Sequence, residues 1–487
     1  MQNDDVDERQ SWRAFAVCAV GAALPVIDTT KIYIVAPAME TSLQASQLST
    51  QLAIAGYLLA FGLSLVPAGR YGDLHSRSRT FLFGIALFAF ASLVVGIAPN
   101  EQILVGARVL QGLSAGILTP QMLGLIQQLF TGAARMRAFG LLGAIFGLAT
   151  SLAPALGGLL VGVGGPDIGW RLAFLINLPP AIVVLILAPR LLPRASQARS
   201  AVRDFDPVGI VLLALATASM LGPFVLTGTG DNAWRWLLLI GVPVFGIAFV
   251  AWERSYGSRG RIPLIDLALF RLPSFRNGLL IIVAFYGAMP GTLLLLSLFV
   301  QSGTGHSPLV AGIVAITLSV GYAGASLFSG RLLERHGPVL VVIGAAIFTL
   351  GLVGTLLVGL FASPEASPWL MMIPLTVTGI GGGWIVPPNQ ALSMSDVAAT
   401  QGGLAGSILQ VGQRLGTAIG VAVVAAIFTA IFVQESPQLG TAVAGRHGFL
   451  AATVVLIAFI GATLVLALID LLRRRGPTEV DGGPIPA

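Results

Sequence analysis

The chain has 487 residues, 55% of them hydrophobic and only 10% charged, with a formal net charge of +6. Soluble proteins carry roughly 25% charged residues, and so few charges could not cover this much apolar surface in water. The balance excludes a cytosolic enzyme, a nucleic-acid-binding protein and a disordered chain. Long apolar runs in place of short alternating strands exclude a β-barrel, which leaves an all-α polytopic membrane protein.

In chain order, windows of about 20 apolar residues predict fourteen spanning helices. They fall near 12–36, 50–69, 80–98, 102–129, 138–163, 170–192, 206–228, 234–253, 276–301, 308–330, 338–361, 369–394, 403–433 and 447–472. The first run is too long for a signal-peptide core and is read as a retained helix. With the N-terminus placed in the cytoplasm, 21 of the 27 basic residues fall on the cytoplasmic side. Three, Arg171, Arg235 and Arg446, fall outside, and three, Lys31, Arg108 and Arg414, lie within helices. A miscounted helix would blur this split, so both termini are expected in the cytoplasm of a multi-pass protein of the bacterial inner membrane. The excess of arginine is then a topology signal and needs no acidic partner. Cys18 is the only cysteine, so no disulfide can form. The histidines His75, His306, His336 and His447 fall in or beside loops. No metal site and no cofactor are expected.

An internal repeat organises these helices. Residues 69–76 read GRYGDLHS and residues 330–337 read GRLLERHG, with Asp73 matched by Glu334. Each copy follows the second helix of a six-helix block. The chain is therefore divided into a tail (1–11), an N-terminal six-helix bundle (12–192), a linker with two inserted helices (193–275), a C-terminal six-helix bundle (276–472) and a second cytoplasmic tail (473–487), the last expected to be disordered. Two matched bundles around an axis are the architecture of a rocking secondary transporter.

Charges inside a spanning helix are costly, so each is a functional candidate. Asp28 is the one deeply placed acid, about 14 Å inside the outer end of helix 1 at 1.5 Å per residue. Arg108 lies about 10 Å inside the same end on helix 4. Lys31, the only lysine, shares a helix face with Asp28. A lone buried carboxylate is driven towards its protonated form, whereas an adjacent cation holds it ionised. The pair can titrate as a unit, or it can be a static ion pair. If Asp28, Lys31, Arg108 and Arg414 all face a central cavity, its net charge is about +2. Such a cavity suits neutral or anionic ligands better than bulky cations. Tyr33, Tyr57, Gln111, Trp384, Asn389, Gln410 and Gln413 are further candidates for its wall, through stacking and adaptable hydrogen bonds. In helix 5, Gly143, Gly147, Ser151, Pro154, Gly158 and Gly162 form one small-residue face, either generic packing or a sliding seam that Pro154 bends.

Several segments carry a family resemblance. GRYGDLHSRSR (69–79) resembles the signature loop of the major facilitator superfamily, RVLQG (108–112) its helix-4 motif, and SLAPALGG (151–158) its antiporter motif. IDTTKIYIVAP (27–37), WRLAFLINLP (170–179), DPVG (206–209), PLIDLALFR (263–271) and RLGTAIG (414–420) resemble signatures of the fourteen-helix drug:proton antiporter branch. The chain departs at Lys31 and Tyr33, where an aliphatic residue and Asn are usual.

The resemblance implies a cytoplasmic clamp built from Gly69, Arg70, Asp73 and Arg77, with a second from Arg331 and Glu334. It implies an antiporter motif at Gly147, Pro154, Gly157 and Gly158; with the buried charges it places proton coupling on Asp28, tuned by Arg108, and Lys31, where the chain departs from the family, is expected to modify that coupling. The expected function is proton-driven export of small amphipathic compounds by a monomer that meets substrate, protons and lipid, with no nucleic acid. A dedicated exporter of one endogenous antibiotic, lipid or metabolite is an alternative. A non-transporting receptor or assembly factor is a remote one. An intramembrane enzyme is disfavoured, because no Ser–His or paired-carboxylate cluster lies inside the helices. No nucleotide-binding phosphate loop is present.

Overall fold

Apolar runs without water to solvate the backbone fold as helices, because each helix satisfies its own N–H and C=O groups. The computed structural model describes residues 2–192, 206–225, 233–259, 261 and 263–475. Among these, helices are connected by short turns and no strand occurs. Thirteen helical stretches are long and apolar enough to cross a membrane, and Pro207–Met220 is a shorter apolar helix.

The N-terminal bundle holds α1 (Gln2–Leu43), α2 (Gln47–Leu74), α3 (Arg77–Gly96), α4 (Glu101–Leu129), α5 (Gly132–Leu175) and α6 (Leu178–Leu191). Local chemistry sets several starts. Ser46, Ser76 and Asn100 cap α2, α3 and α4 by accepting from the backbone N–H three residues on, which satisfies an otherwise orphaned donor. Helix α1 begins at Gln2, well before its apolar run. Helix α5 breaks at Gly165, whose φ of 68° favours glycine. The break falls between the fifth and sixth predicted spans. The inserted pair is α7 (Pro207–Val225) and α8 (Leu238–Ser258). Residues 193–205 of the expected linker and residues 476–487 of the expected tail lie outside the described residues.

The C-terminal bundle holds α9 (Pro273–Leu298), α10 (Pro308–His336), α11 (Val339–Phe361), α12 (Ser367–Leu370), α13 (Met372–Gly383), α14 (Val386–Ser393), α15 (Gly402–Leu439) and α16 (Thr441–Arg475). The single span predicted near 369–394 is thus three helical pieces, interrupted at Met371 and at Trp384–Ile385.

The repeat is visible in the packing. Helix α1 lies along α5 as α9 lies along α15, and α2 lies along α4 as α10 lies along α13. Between bundles, α5 packs on α10 and α2 packs on α15, which are again symmetry mates. Glycines permit these approaches. A Cβ on Gly69 would stand 2.6 Å from the Gly403 carbonyl oxygen, and one on the repeat-equivalent Gly330 would stand 2.7 Å from the Arg137 Cα. The outside is apolar, with Phe83, Phe90, Ile247, Leu350 and Phe361 exposed, as a surface facing lipid must be.

Candidate functional site

The intramembrane charges come together inside the N-terminal bundle. Asp28, Lys31 and Arg108 are fully buried. Arg108 Nη1 lies 2.5 Å from Asp28 Oδ2, and Lys31 Nζ lies 3.2 Å from Asp28 Oδ1. Asn177 bridges the group: Lys31 Nζ donates to its Oδ1 at 2.9 Å, and its Nδ2 donates to Asp28 Oδ1 at 3.1 Å. Asn177 Nδ2 also reaches Ser92 Oγ at 3.2 Å, which in turn accepts from Gln111 Nε2 at 2.8 Å. Arg108 Nη1 donates to Gln111 Oε1 at 2.6 Å. Aromatic faces close the sides. The Arg108 guanidinium lies 4.3 Å from the Tyr57 centroid, and Lys31 Nζ lies 5.3 Å from that of Phe174. Three charges at such depth persist because each is paired and hydrogen-bonded.

A cavity of about 400 Å³ lies between the bundles. Helix α1 presents Pro25, Val26, Thr29 and Thr30 to it, while Asp28 and Lys31 project into the bundle. This corrects the charge count made from the sequence: Asp28, Lys31 and Arg108 are not in the cavity wall. Among the described lining residues, Arg414 is the charged one, so the wall carries +1 rather than +2. Gln410 and Gln413 line the cavity beside it. Tyr57 and Gln111 belong to the buried network instead. Asn389 is buried and donates to the Gly278 carbonyl at 2.9 Å, and Trp384 packs against the core, so neither reaches the cavity. The side chains of Tyr33 and Pro154 lie outside the described residues.

One path joins the network to the cavity. The Thr29 hydroxyl, in the wall, lies 3.4 Å from the Tyr57 hydroxyl, and the Tyr57 ring lies under Arg108.

On the Arg-rich face the bundles are bolted together. Asp73 of α2 accepts from Gly403 N at 3.0 Å and from Leu404 N at 2.8 Å, which places a carboxylate on the N-terminus of α15, where the helix dipole favours it. Arg77 holds Asp73 at 2.8 Å and donates to the carbonyls of Gly124 and Ala399. Arg70 lies near Asp73, Asp266 and Glu253, and its buried Nε has no hydrogen-bond partner among the described residues. In the second copy, Glu334 of α10 pairs with Arg137 of α5 at 2.9 Å. Arg331 is exposed, so Arg137 takes the place expected for Arg331.

The small-residue face of α5 divides. Gly143 and Gly147 meet Pro387 and Tyr322 of the opposite bundle, whereas Gly157 meets Lys31 and Val35 of α1, and Gly158 meets Ile34 of α1. Only the half towards the Arg-rich face is a seam between bundles. The upper half packs on α1, directly against the buried charges.

Sequence reasoning missed Asn177, Ser92, Tyr286, Tyr322 and Gln390. Asn177 carried a signal, being the lone amide in the apolar run LAFLINLPPAIVV. The others are ordinary helix residues until the fold faces them inward.

Comparisons with known proteins follow the same lines. The sequence pattern of the Major Facilitator Superfamily matches residues 18–305 and 278–484. The probable actinorhodin transporter of Streptomyces coelicolor is 32% identical over 408 residues, spanning 83% of this chain and 70% of that protein. The tetracenomycin C resistance and export protein of Streptomyces glaucescens is 30% identical over 413 residues, spanning 84% and 74%. The puromycin resistance protein of Streptomyces alboniger is 31% identical over 481 residues, spanning 97% and 93%. In fold, the chain is similar to a proton:xylose symporter (TM-score 0.63, 14% identity, covering 94% of this chain and 96% of that one). It is equally similar to the human organic anion transporter MFSD10 (TM-score 0.63, 16% identity, covering 92% and 99%).

Proposed function

The chain belongs to the major facilitator superfamily, and on that premise we propose that it is a proton-coupled exporter of small amphipathic compounds. Neutral or anionic substrates are favoured over bulky cations. It works as a monomer in a bacterial inner membrane, with both termini and the Arg-rich face cytoplasmic. The observation that carries this reading is the Asp28–Lys31–Arg108 cluster set one side chain behind the cavity wall, within reach of it through Tyr57 and Thr29.

The mechanism follows from charge. With Asp28 ionised, the cluster carries +1 and is held by two ion pairs. A proton on Asp28 leaves Lys31 and Arg108 without a counter-charge, which weakens their grip and loosens α1 from α4. Helix α1 forms part of the cavity wall and part of the packing on α5, so that change reaches both ligand and seam. Reorientation then requires the Asp73 clamp on α15 to open. Similarity to a probable actinorhodin transporter and to a tetracenomycin C resistance and export protein favours one narrower reading, a dedicated exporter of a single compound. A biosynthetic cluster beside the gene would support it.

The test is substrate-driven proton flux into dye-loaded proteoliposomes, for wild type and Asp28→Asn. Loss of flux in the variant is expected. Full coupling in Asp28→Asn would remove Asp28 from the mechanism.

A further inference from the structure

Helix α8 carries a buried acid that the export mechanism does not use. Glu253 is 2% exposed, and Asp206, the residue before α7, is 3% exposed. Both converge on Gly209 of α7. A Cβ there would overlap Asp206 Oδ2 and stand 2.6 Å from Glu253 Oε1, so the glycine leaves room for two carboxyl groups within hydrogen-bond reach of each other. Their remaining partners are donors. Asp206 accepts from Gly209 N at 2.9 Å and from Trp252 Nε1 at 3.0 Å, and Glu253 Oε2 accepts from Ile265 N at 3.2 Å. Glu253 Oε1 receives no hydrogen bond. An acceptor facing an acceptor in a site closed to water is costly, and a proton on Oε1 turns it into a donor to Asp206 Oδ2. The charges around the pair do not remove that need. Arg70 of α2 faces this cluster, but Asp73, Asp266 and Glu253 all compete for it. Arg254 is exposed, and the exposed Arg259 lies 6.0 Å from the Trp252 centroid.

The pair sits where it can act on the clamp. Residues 263–272 form a strap that runs from α8 to α9 and touches both bundles. Leu264, Ile265 and Leu269 are buried in one core with Met394, Val397 and Leu404 of the C-terminal bundle. Glu253 anchors the strap at Ile265. One residue on, Asp266 Oδ2 accepts from Gln401 Nε2, just before α15, at 2.9 Å. The Ala399 carbonyl, two residues earlier, is held by the clamp residue Arg77.

We propose that Asp206 and Glu253 form a second proton-binding site, which holds one shared proton, and that its loss frees the strap from α15 and loosens the Arg-rich face independently of Asp28. Without the proton two buried anions face each other and separate. Their separation pulls on the Ile265 anchor and, through it, on the Asp266–Gln401 bond. The closed face binds the proton more tightly than the open one, so low pH favours closure and rising pH favours opening.

The test uses the purified full-length chain in lipid nanodiscs, titrated from mildly acidic to mildly alkaline pH. Infrared difference spectroscopy reads protonated carboxyl groups directly. Wild type should lose a protonated-carboxyl band as pH rises. Glu253→Gln should lack that band, and Asp28→Asn should keep it. The second readout is maleimide labelling of Ser407→Cys in a Cys18→Ser background, because Ser407 is buried and donates to the Leu65 carbonyl of α2. Each rate is divided by that of the unfolded chain at the same pH, which removes the titration of the thiol itself. The ratio should rise severalfold with pH when the pair is intact. Glu253→Gln keeps a donor for Asp206 and carries no charge, so its ratio should stay low throughout. Asp206→Asn removes the repulsion from the other side and should be equally flat, and it keeps the test open if Glu253→Gln fails to fold. Asp266→Ala should raise the ratio at every pH and leave the infrared band in place.

A carboxyl band unchanged in Glu253→Gln, or lost in Asp28→Asn, would overturn the proposal. So would a labelling ratio that does not rise with pH in the intact pair, or that rises as steeply in Glu253→Gln and Asp206→Asn. Proton flux abolished in Asp28→Asn, with the band and the pH-dependent ratio retained, would sustain the pair as a separate site.

Discussion

Removing Asp28 should damage the protein more than removing Lys31, although the two are partners. At an effective dielectric of about 20, the 3.2 Å Lys31–Asp28 pair is worth about 5 kcal/mol of attraction, and the 2.5 Å Arg108–Asp28 pair about 7 kcal/mol. Desolvation of three ions offsets most of this. What matters is the remainder after each change. Asp28→Asn leaves two buried cations with no carboxylate, and an uncompensated buried charge costs about 3–5 kcal/mol. Lys31→Met leaves a balanced Asp28–Arg108 pair in an apolar setting, at a cost under about 1 kcal/mol or a small gain. The double variant leaves one cation and should fall between. Cys18, the only cysteine in the chain and fully buried, makes the assay direct: a thiol-reactive fluorophore reports unfolding as temperature rises. At roughly 2–4 °C per kcal/mol for a unit of bundle size, Asp28→Asn should lower Tm by about 6–20 °C. Lys31→Met should stay within a few degrees of wild type. Equal losses in the two single variants, or a larger loss for Lys31→Met, would refute the charge argument.

Two other predictions concern the clamp and the packing. Asp73→Asn removes the charge that holds the α15 N-terminus and Arg77, and should weaken the closed Arg-rich face by about 1–3 kcal/mol. The half-exposed Glu334–Arg137 pair is worth under about 1 kcal/mol, so Glu334→Gln should do little. Maleimide labelling of a cysteine placed at Ser407, which is buried and donates to the Leu65 carbonyl across the interface, in a Cys18→Ser background, should accelerate severalfold in the first variant and barely in the second. A Cβ on Gly112 would lie 2.8 Å from the Tyr57 Cα, whereas one on Gly106 would meet nothing within 4 Å. Gly112→Ala should therefore cost about 1–3 kcal/mol in overpacking between α2 and α4, and Gly106→Ala close to none, as read from the same thermal assay.

Composition and periodicity alone determined that this chain is a polytopic helical membrane protein, because the requirement to satisfy backbone groups in lipid leaves an apolar sequence few choices. The repeat at Gly69 and Gly330 also announced two related bundles before any contact was known, since each glycine marks a close helix crossing. The sequence named Asp28, Lys31 and Arg108 as exceptional because charge in a span is rare and costly. It could not say which way they face. One helical step separates Thr29 in the cavity wall from Asp28 behind it, and a difference of 100° around the helix axis is decided by what α4 and α5 offer on the other side. Asn177, 146 residues beyond Lys31, becomes part of the site only when α6 is folded against α1. The same holds for the clamp: Arg331 lies beside Glu334 in the chain, yet the carboxylate takes Arg137 from the other bundle, because the packing of α5 on α10 brings that guanidinium within reach and leaves Arg331 exposed. Local sequence fixes which groups are unusual, and the tertiary fold decides which of them meet.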